Sequence, residues 1–314
     1  MPHPDLPSYP CYLNGAYTPL NEAKVSVMDR GFVFGDGVYE VLPVYGGRVF
    51  RFAQHMARLE RSLAELRIAQ PLGRPEWLII ATNLVAAYAS FIKANGLNVS
   101  VNASATASAN AITAGDYLVY LQITRGVALR DHVMPESITP TVFAMCSPLK
   151  PGPPEARAHG VACVTADDFR WQKAHIKSTS LLGSVMARQI SFDAGAAETV
   201  MFRDGLLSEA SASNVWVVKN GTLMGPPKSN LVLEGIRYDL MDEICQAQGI
   251  RFELKDVSRE EVLTCDELLL SSASKEVLPV TQLDGMPIGH TSHRGAPGPL
   301  YQRLYAGYQT AKNA

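Results

Sequence analysis

An α+β fold in two domains is what the sequence predicts, on three observations. The chain has 314 residues, too many for one small core and too few for three ordinary domains. Short apolar runs end repeatedly in turn dipeptides, namely Asn14-Gly15, Gly46-Gly47, Asp204-Gly205, Asn220-Gly221 and Asp284-Gly285. Residues of these types take up the positive φ of a hairpin turn at low cost. Helical periodicity occurs only in separate blocks, with no internal repeat and no run of βαβ units.

Taken in order, Tyr12 and Leu13 lead into the first hairpin turn, and Val41 to Tyr45 lead into the second, so an antiparallel sheet opens the chain. Phe52, Met56, Leu59, Leu63 and Leu66 then recur at three- and four-residue steps, which predicts an amphipathic helix covering that sheet. A second helix is bounded by Pro75, suited to a first turn, and Gly96, suited to a C-terminal cap, with Trp77, Ile80, Leu84 and Tyr88 along one side. Asn98 to Thr113 is rich in Ser, Ala and Asn and reads as a mobile surface loop before a strand from Tyr117 to Thr124. Proline and glycine crowd Pro148 to Pro154, between a strand ending near Met145 and another starting at Val161. The expected division is therefore an N-terminal domain over 1–149, a linker over 150–154 and a C-terminal domain over 155–314. In the latter, strands alternate with helices near Leu181 to Phe192, Ile236 to Gln248 and Pro299 to Tyr308.

Composition narrows the function classes. Apolar residues make up 47% and charged residues 18%, which is the balance of a globular chain and not of a disordered one. With a formal charge of −2 and no basic block interleaved with aromatics, nucleic acid is not an expected partner. Met1 to Pro10 holds four prolines and lacks a signal peptide's apolar centre. No stretch is expected to be long and apolar enough to span a bilayer, no membrane partner follows, and the cytoplasm is the expected location. Five scattered cysteines without a C-x-x-C pair indicate neither a metal site nor a disulfide framework and read as small hydrophobes.

Lys177 lies just before the apolar start of a helix at Leu181 and Leu182. Desolvation of a strand-end lysine favours its neutral amine, a nucleophile toward carbonyls, whereas periodicity alone favours a solvated surface lysine. Ordered motifs weigh on the choice. They are Asp29-Arg30-Gly31, Phe34-Gly35-Asp36-Gly37-Val38-Tyr39-Glu40-Val41, His55-Met56-Ala57-Arg58-Leu59, Ile123-Thr124-Arg125-Gly126, Arg130-Asp131-His132, Ile176-Lys177-Ser178, Leu207 through Val215 and Leu233-Glu234-Gly235-Ile236. In this order and spacing the chain resembles the fold-type IV pyridoxal-phosphate-dependent aminotransferases over nearly its whole length, and most of all the bacterial D-amino acid aminotransferases. The resemblance implies a smaller N-terminal α/β sandwich-like domain and a larger C-terminal pseudo-barrel domain that binds pyridoxal 5'-phosphate.

Carried over position by position, the resemblance makes Lys177 the catalytic lysine, both tether of the cofactor and proton carrier. Glu209 matches the carboxylate facing the pyridine nitrogen, where a buried negative charge favours the protonated ring. Arg58 matches the phosphate arginine, Gly235 and Ile236 would offer backbone N–H groups to the same phosphate, and Leu233 would pack on a ring face. Leu233 fits a plain core position as well. Two phosphate positions depart from the family pattern: Arg237 stands where a hydroxyl residue follows Gly-Ile, and in Ser271-Ser272-Ala273-Ser274 an alanine replaces a threonine. Ser272 and Ala273 are therefore expected as backbone contacts, and Arg237 either restores a lost bond or points away.

Tyr39, Arg130 and His132 match the family's trap for a substrate α-carboxylate, with arginine supplying a forked grip. The implied reaction moves an amino group from a D-amino acid, such as D-alanine, to a 2-oxo acid such as 2-oxoglutarate. An (R)-selective amine or branched-chain aminotransferase is the alternative within the fold, and a catalytically silent scaffold is the alternative outside it. The implied partners are small amino acids and 2-oxo acids, no metal, and a second copy of the chain in a homodimer.

Overall fold

Each predicted turn dipeptide sits at a chain reversal: Asn14, Gly46, Asp204, Asn220 and Asp284 have φ between 48° and 54°, followed by glycines at 72° to 96°. A computed structural model describes residues 2–96, 115–150 and 152–313, so the stretch Asn98 to Thr113 lies outside the described residues. The chain divides into two units, 1–150 with Ile176–Ser180, and 151–175 with 181–314. The return of Ile176–Ser180 to the first unit has a plain cause in backbone pairing. Lys177 O accepts from Tyr39 N at 3.0 Å, Thr179 N donates to Gly37 O at 2.9 Å, and Val38 bridges Ser178.

In the first unit, strands β1 (Pro10–Leu13), β2 (Ala16–Pro19), β3 (Gly37–Tyr45), β4 (Arg48–Val49), β5 (Tyr117–Thr124) and β6 (Thr141–Pro148) form one antiparallel sheet in the order β2-β1-β6-β5-β3-β4. β6 runs three residues past the expected end near Met145, because Cys146, Ser147 and Pro148 still pair with β5. A short helix α1 (Arg30–Phe34), absent from the sequence reading, is capped by the Asp29 side chain and closed by Gly35 at φ 66°. Helix α2 (Phe52–Glu65) buries Met56, Leu59 and Leu63, and α3 (Arg74–Ala94) buries Trp77, Ile80, Leu84 and Tyr88. These side chains share a core with Val38, Leu42, Val119, Leu121 and Ile123 of the sheet. One expectation is corrected here: α3 is long and apolar enough, by length and composition, to cross a bilayer. It is apolar beyond its buried stripe, since Leu78 and Ile79 are exposed, while six of its residues are buried.

The second unit comprises α4 (Pro154–His159), β7 (Val161–Asp167), α5 (Leu182–Asp193), β8 (Glu198–Arg203), β9 (Leu206–Ala210), β10 (Asn214–Lys219), β11 (Thr222–Gly225), α6 (Arg237–Gln248), β12 (Arg251–Leu254), α7 (Arg259–Leu263), β13 (Glu267–Ser272), β14 (Glu276–Leu283), β15 (Met286–Pro287) and α8 (Pro299–Asn313). Its nine-stranded sheet, ordered β12-β11-β10-β13-β14-β7-β8-β9 with β15 on β14, is mixed and curls as a half-barrel. Two isolated parallel crossovers, β7 to β8 through α5 and β11 to β12 through α6, give two of its three parallel pairs, and β14 beside β7 is the third; the hairpin signals announced none of them. β10 is buried on both faces: Val215 and Val217 join one core, while Trp216 packs at a tilt against Tyr238, 4.8 Å between ring centres, and donates to Ser271 Oγ. A strand covered on both sides reads as a continuous apolar run, as Val215 to Val218 do. All five cysteines are free and buried.

Candidate active site

Lys177 is half-buried in the first unit, its backbone fixed on both sides. Its N–H donates to Ser62 Oγ of α2 at 3.3 Å and its carbonyl receives Tyr39 N, so the side chain leaves from a rigid base. The Nζ lies 4.1 Å from the centre of the Tyr39 ring, which itself stacks on Tyr120 at 5.8 Å.

Arg58 projects from the buried side of α2, where Glu40 of β3 receives its Nε at 2.7 Å and its Nη2 at 2.9 Å. His55 Nδ1 approaches the same carboxylate at 2.8 Å. Burial alone would raise the Glu40 carboxyl, but the Arg58 guanidinium and the His55 ring outweigh it and hold Glu40 well below the usual carboxylate range. The forked pair fixes the direction of Arg58. Glu40 is legible in the sequence only as one letter of a motif, because strand periodicity places it in a core and says nothing of its partner.

Arg130 and His132 are exposed and share one neighbour, Phe34, with the Arg130 guanidinium 5.5 Å and the His132 ring 5.6 Å from its centre. Their loop is tied from beneath by Arg30, whose Nη1 donates to Asp131 O at 2.6 Å. Arg30 is in turn held by Asp36 at 2.8 Å, and Asp36 also receives the Arg125 guanidinium at 2.7 and 3.0 Å. Tyr39 keeps to Lys177 and Tyr120, so the three residues matched to a carboxylate trap fall into two clusters. Arg30, Asp36 and Arg125 stand in the sequence only as letters of motifs, since buried ion pairs leave no periodic signal of their role.

In the second unit, Glu209 is buried at the end of β9. It accepts a close bond from Arg170 Nη1 and a longer one from Leu233 N at 3.3 Å, with Asn214 Nδ2 at 3.5 Å. Burial pushes the Glu209 carboxyl up, opposed by Arg170. Asn214 also donates to Leu233 O at 3.0 Å, and pairs across the sheet with Ser271, one residue from Ser272. Glu209, Leu233 and Gly235 are thus assembled around one amide.

Gly235 has a steric reason to be glycine, because a Cβ there would stand 2.0 Å from Asn214 Oδ1. Gly235→Ala is expected to dislodge Asn214 and destabilise the second unit by roughly 1–3 kcal/mol, read as a lower denaturation midpoint. An unchanged midpoint would contradict the packing. Ile236 caps α6 and Arg237 begins it, its guanidinium 5.4 Å from the Tyr308 ring of α8. Ser272 ends β13 with its hydroxyl accepting from Lys275 N at 3.1 Å, and Ala273 lies in the turn that follows.

The first unit holds an amine on a rigid base and an aimed guanidinium, and the second holds a buried carboxylate; each is a group of the kind that an aldehyde-bearing, phosphorylated pyridine requires. The family model of amino-transferase class IV matches residues 37–283. A D-alanine aminotransferase of Bacillus licheniformis is 36% identical over 298 residues, covering 95% of each chain. One from Staphylococcus aureus (strain MSSA476) is 32% identical over 299 residues, covering 95% of this chain and 96% of that one. Among solved structures, the T.th. branched-chain amino acid aminotransferase with pyridoxamine 5'-phosphate superimposes with a TM-score of 0.79 at 23% identity, covering 98% of this chain and 95% of that one. The branched-chain aminotransferase from Thermoproteus uzoniensis gives 0.78 at 24%, covering 98% and 95%. The chain belongs to the class IV aminotransferases. It has their fold-type IV architecture and is a pyridoxal-phosphate-dependent enzyme.

Proposed function

We propose that the enzyme transfers the amino group of D-amino acids, such as D-alanine, to a 2-oxo acid such as 2-oxoglutarate. The observation that carries this reading is the placement of Arg130 and His132 beside the same ring, Phe34, on a loop tied by Arg30. Two donors presented together and held before substrate arrives suit a carboxylate, which arginine grips with two parallel bonds. The relatives in sequence bear the name D-alanine aminotransferase, which agrees with it. The branched-chain enzymes share the fold and motivate the competing donors.

In this reading Lys177 is the tether and carries the proton to and from the substrate α-carbon, with Tyr39 beside its ammonium. When bound, pyridoxal phosphate supplies the conjugated electron sink for that carbon. Glu209 places a negative charge at the pyridine nitrogen. Leu233, tied to Glu209 through its own N–H, packs on the ring face. In the first unit Arg58, aimed by Glu40, is the phosphate donor; in the second the backbone N–H groups of Gly235, Ile236, Ser272 and Ala273 suit a phosphate, and Arg237 contributes charge at the start of α6. Arg130 and His132 orient the carboxylate from their loop, and Tyr39, which lies apart from them beside Lys177, is assigned to it by the family pattern alone.

Donor comparison tests the substrate assignment: D-alanine is expected to give the largest kcat/KM, ahead of L-leucine and (R)-phenylethylamine. Preference for either of the other two would reject it. Glu209→Gln is expected to retain cofactor and lower kcat roughly ten- to a hundredfold, because an uncharged amide no longer favours the protonated ring. Unchanged turnover would remove Glu209 from the nitrogen.

A homodimer in the cytoplasm completes the proposal. Phe32, Leu129 and Val133 of the first unit and Leu182, Val185, Met186 and Phe192 of the second are exposed. Exposed apolar side chains in such number suit burial against a second copy. Light scattering should return the mass of two chains, and a fully active monomer would contradict it.

A further inference from the structure

Arg170 does more than neutralise a neighbour. It comes from the turn after β7, and Asp168 takes its Nε at 2.9 Å, its Nη2 at 2.8 Å and its backbone N–H at 3.1 Å. The remaining terminal nitrogen, Nη1, meets Glu209. Arg203 closes the other side, donating to Arg170 O at 2.8 Å and standing 3.3 Å from Asp168. The result is a row of alternating charge, Arg203, Asp168, Arg170 and Glu209, in which the two carboxylates are buried and every member has an opposite neighbour.

A second observation concerns room for the arginine stem. Gly183, in the first turn of α5, would with a Cβ stand 3.0 Å from Arg170 Cγ and 3.5 Å from its Cα. The helix therefore carries glycine where the stem passes closest. Of the other titratable groups, Tyr238 from α6 also faces Glu209, and burial, Glu209 and Glu234 all favour its neutral phenol, so it brings no countercharge. Arg170 is the cation that offsets the burial of Glu209.

We propose that Arg170 is a positioning residue for Glu209: braced by Asp168 and Arg203, it keeps the carboxylate ionised and aimed for the cofactor's pyridine nitrogen. The inference rests on the assignment of Glu209 made above. Loss of the guanidinium would leave a buried carboxylate without its countercharge, and such a group takes up a proton more readily. A protonated Glu209 cannot support a positive ring nitrogen.

The test follows Glu209 in cofactor-free protein, by infrared difference spectra of chain labelled with 13C in glutamate, with Glu209→Gln as the subtraction control. Arg170→Gln is expected to raise the protonation midpoint of Glu209 by roughly one to three pH units. Arg170→Lys, which keeps the charge, should recover at least half of that shift. In the loaded protein, the pH profile of the cofactor's absorbance should move in parallel. An unmoved midpoint in Arg170→Gln overturns the proposal. Should that variant not fold, Gly183→Ala displaces the stem by a few tenths of an ångström and should move the midpoint the same way, an unmoved midpoint there being equally fatal. A cofactor spectrum indifferent to Glu209→Gln overturns the assignment of Glu209 itself. A spectrum that responds to Glu209→Gln while both Arg170 readouts stay still overturns Arg170 alone.

Discussion

Lys177→Ala is expected to abolish transamination, with kcat falling by at least ~10⁴-fold, and to remove the long-wavelength absorbance of the tethered cofactor. Two lysines of the second unit are already engaged. Lys275 is committed to buried Glu198 and to Ser213 Oγ at 3.0 Å, and Lys228 pairs with Glu234 at 2.7 Å and Asp239 at 3.0 Å. Either would have to abandon a carboxylate to substitute.

The fold should survive the change. The backbone bonds that seat Lys177, from its own N–H to Ser62 and from Tyr39 to its carbonyl, do not involve the side chain. A half-buried lysine over an aromatic face contributes on the order of 1 kcal/mol, so the thermal midpoint should move by only a few degrees. Added methylamine should restore a small part of the turnover, because a diffusing amine can carry the proton, while the absorbance of the tether stays absent. Near-normal turnover without added amine would remove Lys177 from the chemistry, and collapse of the thermal midpoint would show it to be structural.

How much of this could be read from the chain alone depends on what kind of signal each residue leaves. The hairpins were legible because Asn-Gly, Gly-Gly and Asp-Gly pairs report a local φ requirement that tertiary structure does not override. The stripes of α2 and α3 were legible because burial on one face imposes a period. The ion pairs of Arg30, Asp36, Arg125, Asp168 and Arg170 are not, since each network is closed by a partner distant in sequence. Arg125 meets Asp36 across 89 positions and Arg170 meets Glu209 across 39. The four buried anchors of α3 do not reveal its full apolar length, because Leu78 and Ile79 extend the apolar character to the exposed side. The parallel crossovers were missed because α5 and α6 were each placed correctly while the strands flanking them gave no sign of direction.

Arg130→Ala is expected to damage D-alanine turnover selectively while leaving the cofactor spectrum and the fold intact. The side chain is exposed, and its one aromatic neighbour is Phe34 at 5.5 Å, a contact worth roughly 0.5–1 kcal/mol at such a site. The loop does not depend on it, because Arg30 holds the backbone of Asp131, and Arg30 is itself clamped by Asp36. The thermal midpoint should therefore shift little. Losing a charge-assisted bond to a carboxylate removes about 1.5–3 kcal/mol, which is one to two powers of ten in kcat/KM. His132 remains beside the gap and limits the loss to that order. A donor without a carboxylate, such as (R)-phenylethylamine, has no such bond to lose, so its kcat/KM should change by less than about threefold. The discriminating quantity is the ratio of kcat/KM for D-alanine to that for the amine, measured in wild type and variant. A ratio that falls ten- to a hundredfold supports a carboxylate bound at Arg130. Equal losses for both donors would make Arg130 a structural residue and would withdraw the strongest geometric support for a D-amino acid as substrate.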